Sequence, residues 1–257
     1  MKQTGERPLK DSTPAALLAL HDAGYREIRA RITAGVVLDV GCGVGDESIR
    51  LAVGDSVVLG IDYDADTAAM ARGNGVHATC ADGSILPLRT ASIDAVCSSH
   101  IIEHFVDPEP HVAEVARVTK DDGSVFFLTP NEPADFENPF HVHLFTPSSL
   151  QTMLRRYFAD VEVMGLDGDD IVHADFDSRR QTGKRLLALD VFGLRKKLPR
   201  SWYIALHAFG RRVVYPFTNR HTSDGPSITE KNFFVTPILS DKTLVLFAIA
   251  KRPVRSR

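Results

Sequence analysis

Residues 36–52 run VVLDVGCGVGDESIRLA. Val36, Val37, Leu38, Asp39 and Val40 read as a short buried strand. Gly41, Gly43 and Gly45 then alternate through a tight turn, and residues 47–52 have the character of a helix opening. Glycines between a strand and a helix permit positive φ and let a ligand approach the main chain closely. A helix N-terminus behind them adds unpaired N–H groups and the positive end of a dipole.

Two ligand classes compete for such a turn. The dinucleotide pattern G-x-G-x-x-G needs its third glycine where this chain has Asp46, whose side chain is charged. The pattern here is D-x-G-x-G-x-G, which resembles the first motif of class I S-adenosylmethionine (SAM) methyltransferases. A cationic amino acid–nucleoside tolerates an acidic residue in the turn. A glycine-rich connection without a ligand is the plain alternative; the strand, the helix and a later acidic residue weigh against it.

The composition bounds the rest. At 257 residues, 44% hydrophobic and 25% charged, the chain suits one α/β domain with an elaboration. A net charge of −3 supplies no basic field for nucleic acid. No leader and no membrane-spanning run is evident, so no integral membrane segment is expected. Cys42, Cys80 and Cys97 have no metal-like spacing and read as reduced, buried thiols, which with the missing leader gives a cytoplasmic expectation.

Read outward from the turn, the chain alternates strands and helices. A helix is expected over residues 14–31, capped by Ser12 or Thr13, covering a sheet edge or the ligand. VVLGID is a second strand ending at Asp62, about twenty residues past the glycines, where nucleotide-binding sheets place a carboxylate on ribose hydroxyls. A helix cap is the competing role for an acid in this region, and Asp64 or Asp66 suits it. Strands over 76–80, 93–98 and 124–129 follow, with a helix over 110–119 and a turn at 120–123. Thr146 caps a helix whose apolar face is Leu150, Met153, Leu154 and Phe158. Residues 161–165 and 243–250 are the last strands. This alternation predicts a Rossmann-like doubly wound α/β sheet, with ligand groups converging beyond the strands' carboxyl ends.

The order and spacing of LDVGCGVGDES, LGIDYD, ADGSILPL, IEHFVDP, TPN and NPFHVHLFTPSSL, together with TGERPL near the start and DKTLVLFAIAKRP near the end, strengthen the resemblance. The chain resembles class I SAM-dependent methyltransferases, and more narrowly bacterial O-methyltransferases of glycan and natural-product pathways, including sugar O-methylation in methylated-mannose polysaccharide assembly. That resemblance implies a mostly parallel sheet ordered 3-2-1-4-5-7-6, strand seven antiparallel. It implies that Asp39, Gly41, Gly43 and Gly45 hold the methionine part of SAM, that Asp62 binds ribose with Tyr63 near the adenine, and that Asp82 and Gly83 border the adenine edge. Ser98, with Ser99, would close the pocket. The expected divisions are a helical cap (1–35), the SAM-binding core (36–166), an insert serving as acceptor lid or dimer element (167–242), and a closing strand with tail (243–257).

Methyl transfer from a sulfonium is an in-line displacement that needs positioning. A hydroxyl acceptor must also lose its proton, so a general base or a metal helps, and histidine suits the task near neutral pH. His100, Glu103 and His104 would share one face if their stretch is helical. The ubiquinone-pathway O-methyltransferases have a similar Glu-His pair, linked to a divalent cation, but with a carboxylate where this chain has His100. Glu103, His104 and His100 are thus the expected metal ligands, with Mg2+ less at home beside imidazoles. His141 and His143, one residue apart, would point to one side of an extended chain. The expected catalytic set is His104, His141 and His143, against a plain reading as packed or solvated side chains.

In the insert, Asp167, Asp169, Asp170, Asp175 and Asp177 read as a solvated acidic loop. Residues 184–217 mix aromatics with Arg and Lys, fitting a lid or a dimer surface ahead of a membrane-lying segment. The expected activity is SAM-dependent O-methylation of a sugar or oligosaccharide hydroxyl, with Mg2+ as an accessory and a homodimer as the candidate assembly. Methylation of a quinone, phenol or lipid is the enzymatic rival, and a non-catalytic SAM-binding protein the rival of another class.

Overall fold

The computed structural model describes residues 13–135, 140–188 and 227–255. Its centre is an eight-stranded sheet with the order β3-β2-β1-β4-β5-β8-β6-β7. The strands are β1 (Val36–Val40), β2 (Val57–Asp62), β3 (His77–Cys80), β4 (Ile93–Ser99), β5 (Thr119–Pro130), β6 (Phe158–Gly168), β7 (Phe233–Thr236) and β8 (Val245–Pro253). The first five pair in parallel, and β8 runs antiparallel between β5 and β6. The expected order is therefore present, with β8 in the place of strand seven. The short β7, not foreseen, pairs antiparallel with the outer side of β6.

Alternate residues of β5 show how the sheet builds two cores. Phe126 and Leu128 join Val37, Cys97 and Phe247 on one face, covered by Leu20, Ala23 and Ile28 of helix α1 (Ala15–Arg29). Val125 and Phe127 join Leu38, Val96 and Leu246 on the other, covered by Val112 and Val115 of α3 (Glu109–Val118) and by Leu150 and Leu154 of α4 (Pro147–Leu154). Helix α2 (Ala65–Gly73) is capped by Asp64, whose side chain accepts from the Thr67 N–H. Thr146 caps α4 as expected, in a capping box with Ser149.

Several expectations are corrected. Helix α1 lies across a sheet face rather than an edge; at Gly24 an added Cβ would come within 2.6 Å of the Leu128 side chain. Its N-cap is Pro14, with no side-chain cap. After the glycines there is only a 3₁₀ turn, Ser48–Leu51, and the chain is already extended at Ala52. Residues 120–123 fall within the bounds of β5 but pair with neither β4 nor β8: the register jumps from Ile93–Thr119 to Ala95–Ser124, and the four residues loop out of the ladder where the turn was expected. Phe158 begins β6 rather than ending a helix. Cys80 is exposed, whereas Cys42 and Cys97 are buried.

The acidic stretch of the insert is not a loop. Asp170–Ala188 forms α5. Asp169 accepts from the N–H groups of Ile171 and Val172 at its start, Asp167 pairs with His173 and Asp175 with Arg179. Most of the aromatic and basic stretch expected as lid, dimer surface or membrane segment lies outside the described residues. Among the described residues no helix is long and apolar enough to cross a membrane.

Candidate active site

The three glycines of the turn all have positive φ, at 84°, 56° and 87° for Gly41, Gly43 and Gly45. They differ in what surrounds them. A Cβ at Gly45 would lie 2.9 Å from a Val76 methyl and 3.2 Å from the main chain of Ala71, so this glycine lets α2 pack close. A Cβ at Gly41 would meet Ile101 at 2.9 Å, which places the loop after β4 directly beside the turn. At Gly43 an added Cβ meets nothing within 4 Å. That open cradle fits a ligand approaching the main chain.

Asp39 lies beneath the turn, fully buried. Its carboxylate accepts from the Tyr25 hydroxyl at 3.1 Å and from the Ser48 hydroxyl at 2.6 Å. Burial pushes its pKa up to about 6, with Asp62 adding to the rise, against hydrogen bonds from Ser48, Cys97 and Tyr25. Asp62 accepts from the Gly43 N–H (3.0 Å) and the Asp64 N–H (2.9 Å), tying the end of β2 to the glycine turn. Tyr63 is 82% exposed. Asp82 accepts from the N–H and hydroxyl of Ser84, which hold its carboxyl below the usual range.

Ser98 departs from the expectation that it closes the pocket. It is fully buried, and its hydroxyl lies 2.9 Å from Nε2 of His111 on α3, beneath the sheet's carboxyl end. His111 Nδ1 lies 2.8 Å from the Gly83 carbonyl, and burial pulls the His111 pKa down to about 4. The neutral imidazole thus donates to Gly83 and accepts from Ser98.

The loop after β4 is not a regular helix. His100 has φ 54°, and only Ile102–His104 makes a 3₁₀ turn. Glu103 is fully buried, accepts from the Thr129 hydroxyl at 3.1 Å through Oε2, and has His100 Nδ1 at 3.5 Å from Oε1. Burial works to raise its pKa, yet His100, then His104 and His141, pull it below the ordinary value. Its Oε1, Ser99 Oγ, His100 Nε2 and Asn131 Oδ1 are buried with no hydrogen-bond partner. All four follow or end β4 and β5 at their carboxyl ends.

One donor atom each from Glu103, His104 and His141 lies within 4.8 Å of the others. The third member of this group is His141; His100 stays beside Glu103 and packs its ring, tilted, against His21 of α1 at 4.4 Å between ring centres. His143 does not join this group; its ring packs 4.5 Å from that of Phe145. His104 and His141 meet edge to face at 5.4 Å. His104 Nδ1 lies 3.0 Å from the Phe140 carbonyl and His141 Nδ1 3.1 Å from an Asp135 carboxylate oxygen. In each ring Nδ1 faces an acceptor oxygen and so donates to it. A set of one carboxylate and two imidazoles does not suit Mg2+, which takes oxygen ligands; a borderline ion such as Mn2+, Fe2+ or Zn2+ fits it better.

Tyr25, Ser48, His111, Thr129 and Asp135 escaped the sequence reading. Ser48 stands inside the quoted glycine motif and Asp135 follows TPN closely; the others have no local signal, because their partners come from distant strands.

A doubly wound sheet whose first βα turn is glycine-rich, with an acid at the end of β2, is a nucleoside-ligand fold. Residues 38–127 match the family model described as a methyltransferase domain. A probable S-adenosylmethionine-dependent methyltransferase of Mycobacterium tuberculosis is 32% identical over 173 residues, covering 63% of each chain. The ubiquinone biosynthesis O-methyltransferase of Coxiella burnetii is 29% identical over 113 residues, 42% of this chain and 48% of that protein. A SAM-dependent methyltransferase structure from Thermotoga maritima superposes with a TM-score of 0.59 over 92% of this chain and 91% of its own, at 15% identity, and shows the shared fold. Over residues 38–127 the chain is thus similar to methyltransferase domains, and it spans 63% of the length of its mycobacterial relative.

Proposed function

We propose that the chain transfers a methyl group from SAM to a hydroxyl of a polyhydroxylated small molecule, a sugar or oligosaccharide. When bound, SAM supplies a methyl group already activated on a sulfonium. Gly41, Gly43 and Gly45 would hold its methionine part over Asp39, with Asp62 at the ribose and Tyr63, Asp82 and Gly83 along the adenine.

The observation that carries the reading is the pair His104 and His141, which meet edge to face beside Glu103, His104 from the loop after β4 that touches the glycine turn and His141 from the loop after β5. An amine acceptor would need no such pair, whereas a hydroxyl must give up its proton as it attacks. One imidazole takes that proton, the acceptor oxygen forms the O–C bond, and the C–S electron pair goes to sulfur, leaving a neutral thioether. No step of this reaction is routed through a metal.

A screen of labelled SAM against mono- and oligosaccharides, quinols and phenols, with and without EDTA, tests the reading. Label in a sugar with EDTA present is the expected result. Label only in a quinol or phenol would move the acceptor to the class named for the Coxiella relative. SAM binding with no transfer to any acceptor would leave a SAM-binding protein.

A further inference from the structure

We infer that His111 is a positioning residue for cofactor specificity, holding the turn at residues 82–84 so that the pocket selects a base with an amino group; this rests on the reading above that places the adenine along Asp82 and Gly83. The imidazole is fully buried on α3, and its hydrogen bonds leave its own helix. Nδ1 donates to the Gly83 carbonyl at 2.8 Å, and Nε2 accepts from the Ser98 hydroxyl at 2.9 Å. The second bond supports the first, because a neutral ring that accepts at Nε2 carries its proton at Nδ1. A buried donor spent on the main chain of a turn fixes that turn over the sheet, since either atom left alone would be desolvated without a partner.

The same turn is gripped from other sides. The Phe105 ring, from the loop after β4, stacks on the imidazole at 4.8 Å between ring centres. A Cβ at Gly83 would lie 3.1 Å from a Val40 methyl and 3.3 Å from Phe105, so the turn rests on the strand end that opens the glycine turn. Further along α3, Glu114 accepts from the Leu86 N–H at 2.8 Å and Arg117 donates to the Leu86 carbonyl at 3.0 Å. His111, Glu114 and Arg117 follow one another at helical spacing, so one face of α3 carries the segment after β3. On that support, Asp82 accepts from the Ser84 N–H and hydroxyl through Oδ1 alone, which leaves Oδ2 to accept from a ligand. A carboxylate oxygen takes an amino group and repels a carbonyl.

Full-length wild type, His111→Leu, His111→Asn and Phe105→Leu are compared in two measurements. The first is calorimetric affinity for S-adenosylhomocysteine, the product left after transfer, and for S-inosylhomocysteine, which has a carbonyl in place of the ring amino group. The second is hydrogen exchange, in the ligand-free protein, of the Ile85 N–H, which donates to the Asp82 carbonyl at 3.0 Å. Wild type is expected to prefer the adenosyl compound about tenfold, the worth of one hydrogen bond. His111→Leu loses that preference by weakening the adenosyl compound alone, with inosyl affinity within about twofold, and Ile85 exchanges about tenfold faster. His111→Asn, whose amide nitrogen can stand where Nδ1 stands, keeps most of both. Phe105→Leu, a milder change if His111→Leu fails to fold, lowers the preference in the same direction.

A preference kept in His111→Leu overturns the assignment. So does an equal loss of affinity for both compounds, which a purely structural role would give, or a wild type that binds the two alike. If wild type binds neither compound, the cofactor reading fails, while Ile85 exchange still decides whether His111 holds the turn: an unchanged rate in His111→Leu overturns that too.

Discussion

The Tyr25 hydroxyl donates to the Asp39 carboxylate across 3.1 Å, joining helix α1 to the strand that leads into the glycine turn. With Ser48 donating from the far side of the turn at 2.6 Å, the carboxylate holds three segments together from a position that water does not reach. Removing one donor leaves a buried charge underpaired, so Tyr25→Phe should destabilise the chain by about 1–3 kcal/mol. Urea unfolding at pH 7 measures it, and a change below about 0.5 kcal/mol would show that the hydroxyl is dispensable.

The same carboxylate gives a pH signature. Its folded pKa of about 6 stands above the ordinary 3.8, so between those values the folded state holds a proton that the unfolded chain has released. Asp39 therefore contributes stability that is complete below about pH 4 and lost as pH rises through 6, about 3 kcal/mol in all. Asp39→Asn cannot titrate. The difference in unfolding free energy between wild type and this variant should fall across pH 4–6 and level off by pH 7. A difference that stays constant would mean that the carboxylate keeps its ordinary pKa.

Two glycines two residues apart in the chain but different in surroundings separate stability from ligand binding. At Gly45 a methyl would meet Val76 at 2.9 Å and the Ala71 main chain at 3.2 Å, on top of a φ of 87°. Gly45→Ala should cost about 2–4 kcal/mol. At Gly43 the space is open, so Gly43→Ala meets only the backbone penalty of about 1 kcal/mol. It should nonetheless weaken SAM binding about tenfold or more, because the methyl would enter the cradle. Melting and a SAM titration on both variants check this; equal SAM affinity for Gly43→Ala and wild type would move the ligand away from the turn.

The sheet was legible because its strands are continuous apolar runs and its first turn is spelled in glycines. The reading went wrong where tertiary partners overrode local pattern. Residues 47–52 have helical composition, but Ser48 turns inward to Asp39 and the chain is already extended at Ala52 after one 3₁₀ turn. At the site, the spacing of His100, Glu103 and His104 suggested one helical face; the left-handed φ of His100 turns its ring to His21 instead. His141 enters in its place from a loop forty residues away, which no local period records.

His111 gives a second, opposite pH dependence. It is held neutral, donating from Nδ1 to the Gly83 carbonyl and accepting at Nε2 from Ser98. Its folded pKa of about 4 lies below the ordinary 6.5, so the unfolded chain binds the proton first as pH falls. The stability it contributes is present above about pH 6.5 and lost by about pH 4, on the order of 3 kcal/mol. His111→Gln, which has no titrating group, should lose less stability than wild type between pH 7 and 5. Parallel losses in the two proteins would show that acid acts elsewhere.

Glu103 separates the two uses open to the cluster of Glu103, His104 and His141. Buried and held ionised by His100, His104 and His141, its negative charge faces the imidazoles that would become cationic on taking a proton. In the metal-free reaction the charge tunes a base but is not bonded to anything that reacts. Glu103→Gln keeps the shape and can still accept from Thr129, so kcat should fall about tenfold, and EDTA should leave wild type and variant equally unaffected. A bound divalent ion makes a different demand. Losing its one anionic ligand would remove the ion, so the variant would be inactive, EDTA would silence the wild type, and Mn2+ or Zn2+ would restore it. The measurement is initial rate against chelator for both proteins. Silencing by EDTA with recovery on metal would reassign His104 and His141 from proton acceptors to ligands, because an Nε2 lone pair bound to an ion has none left for the acceptor's proton.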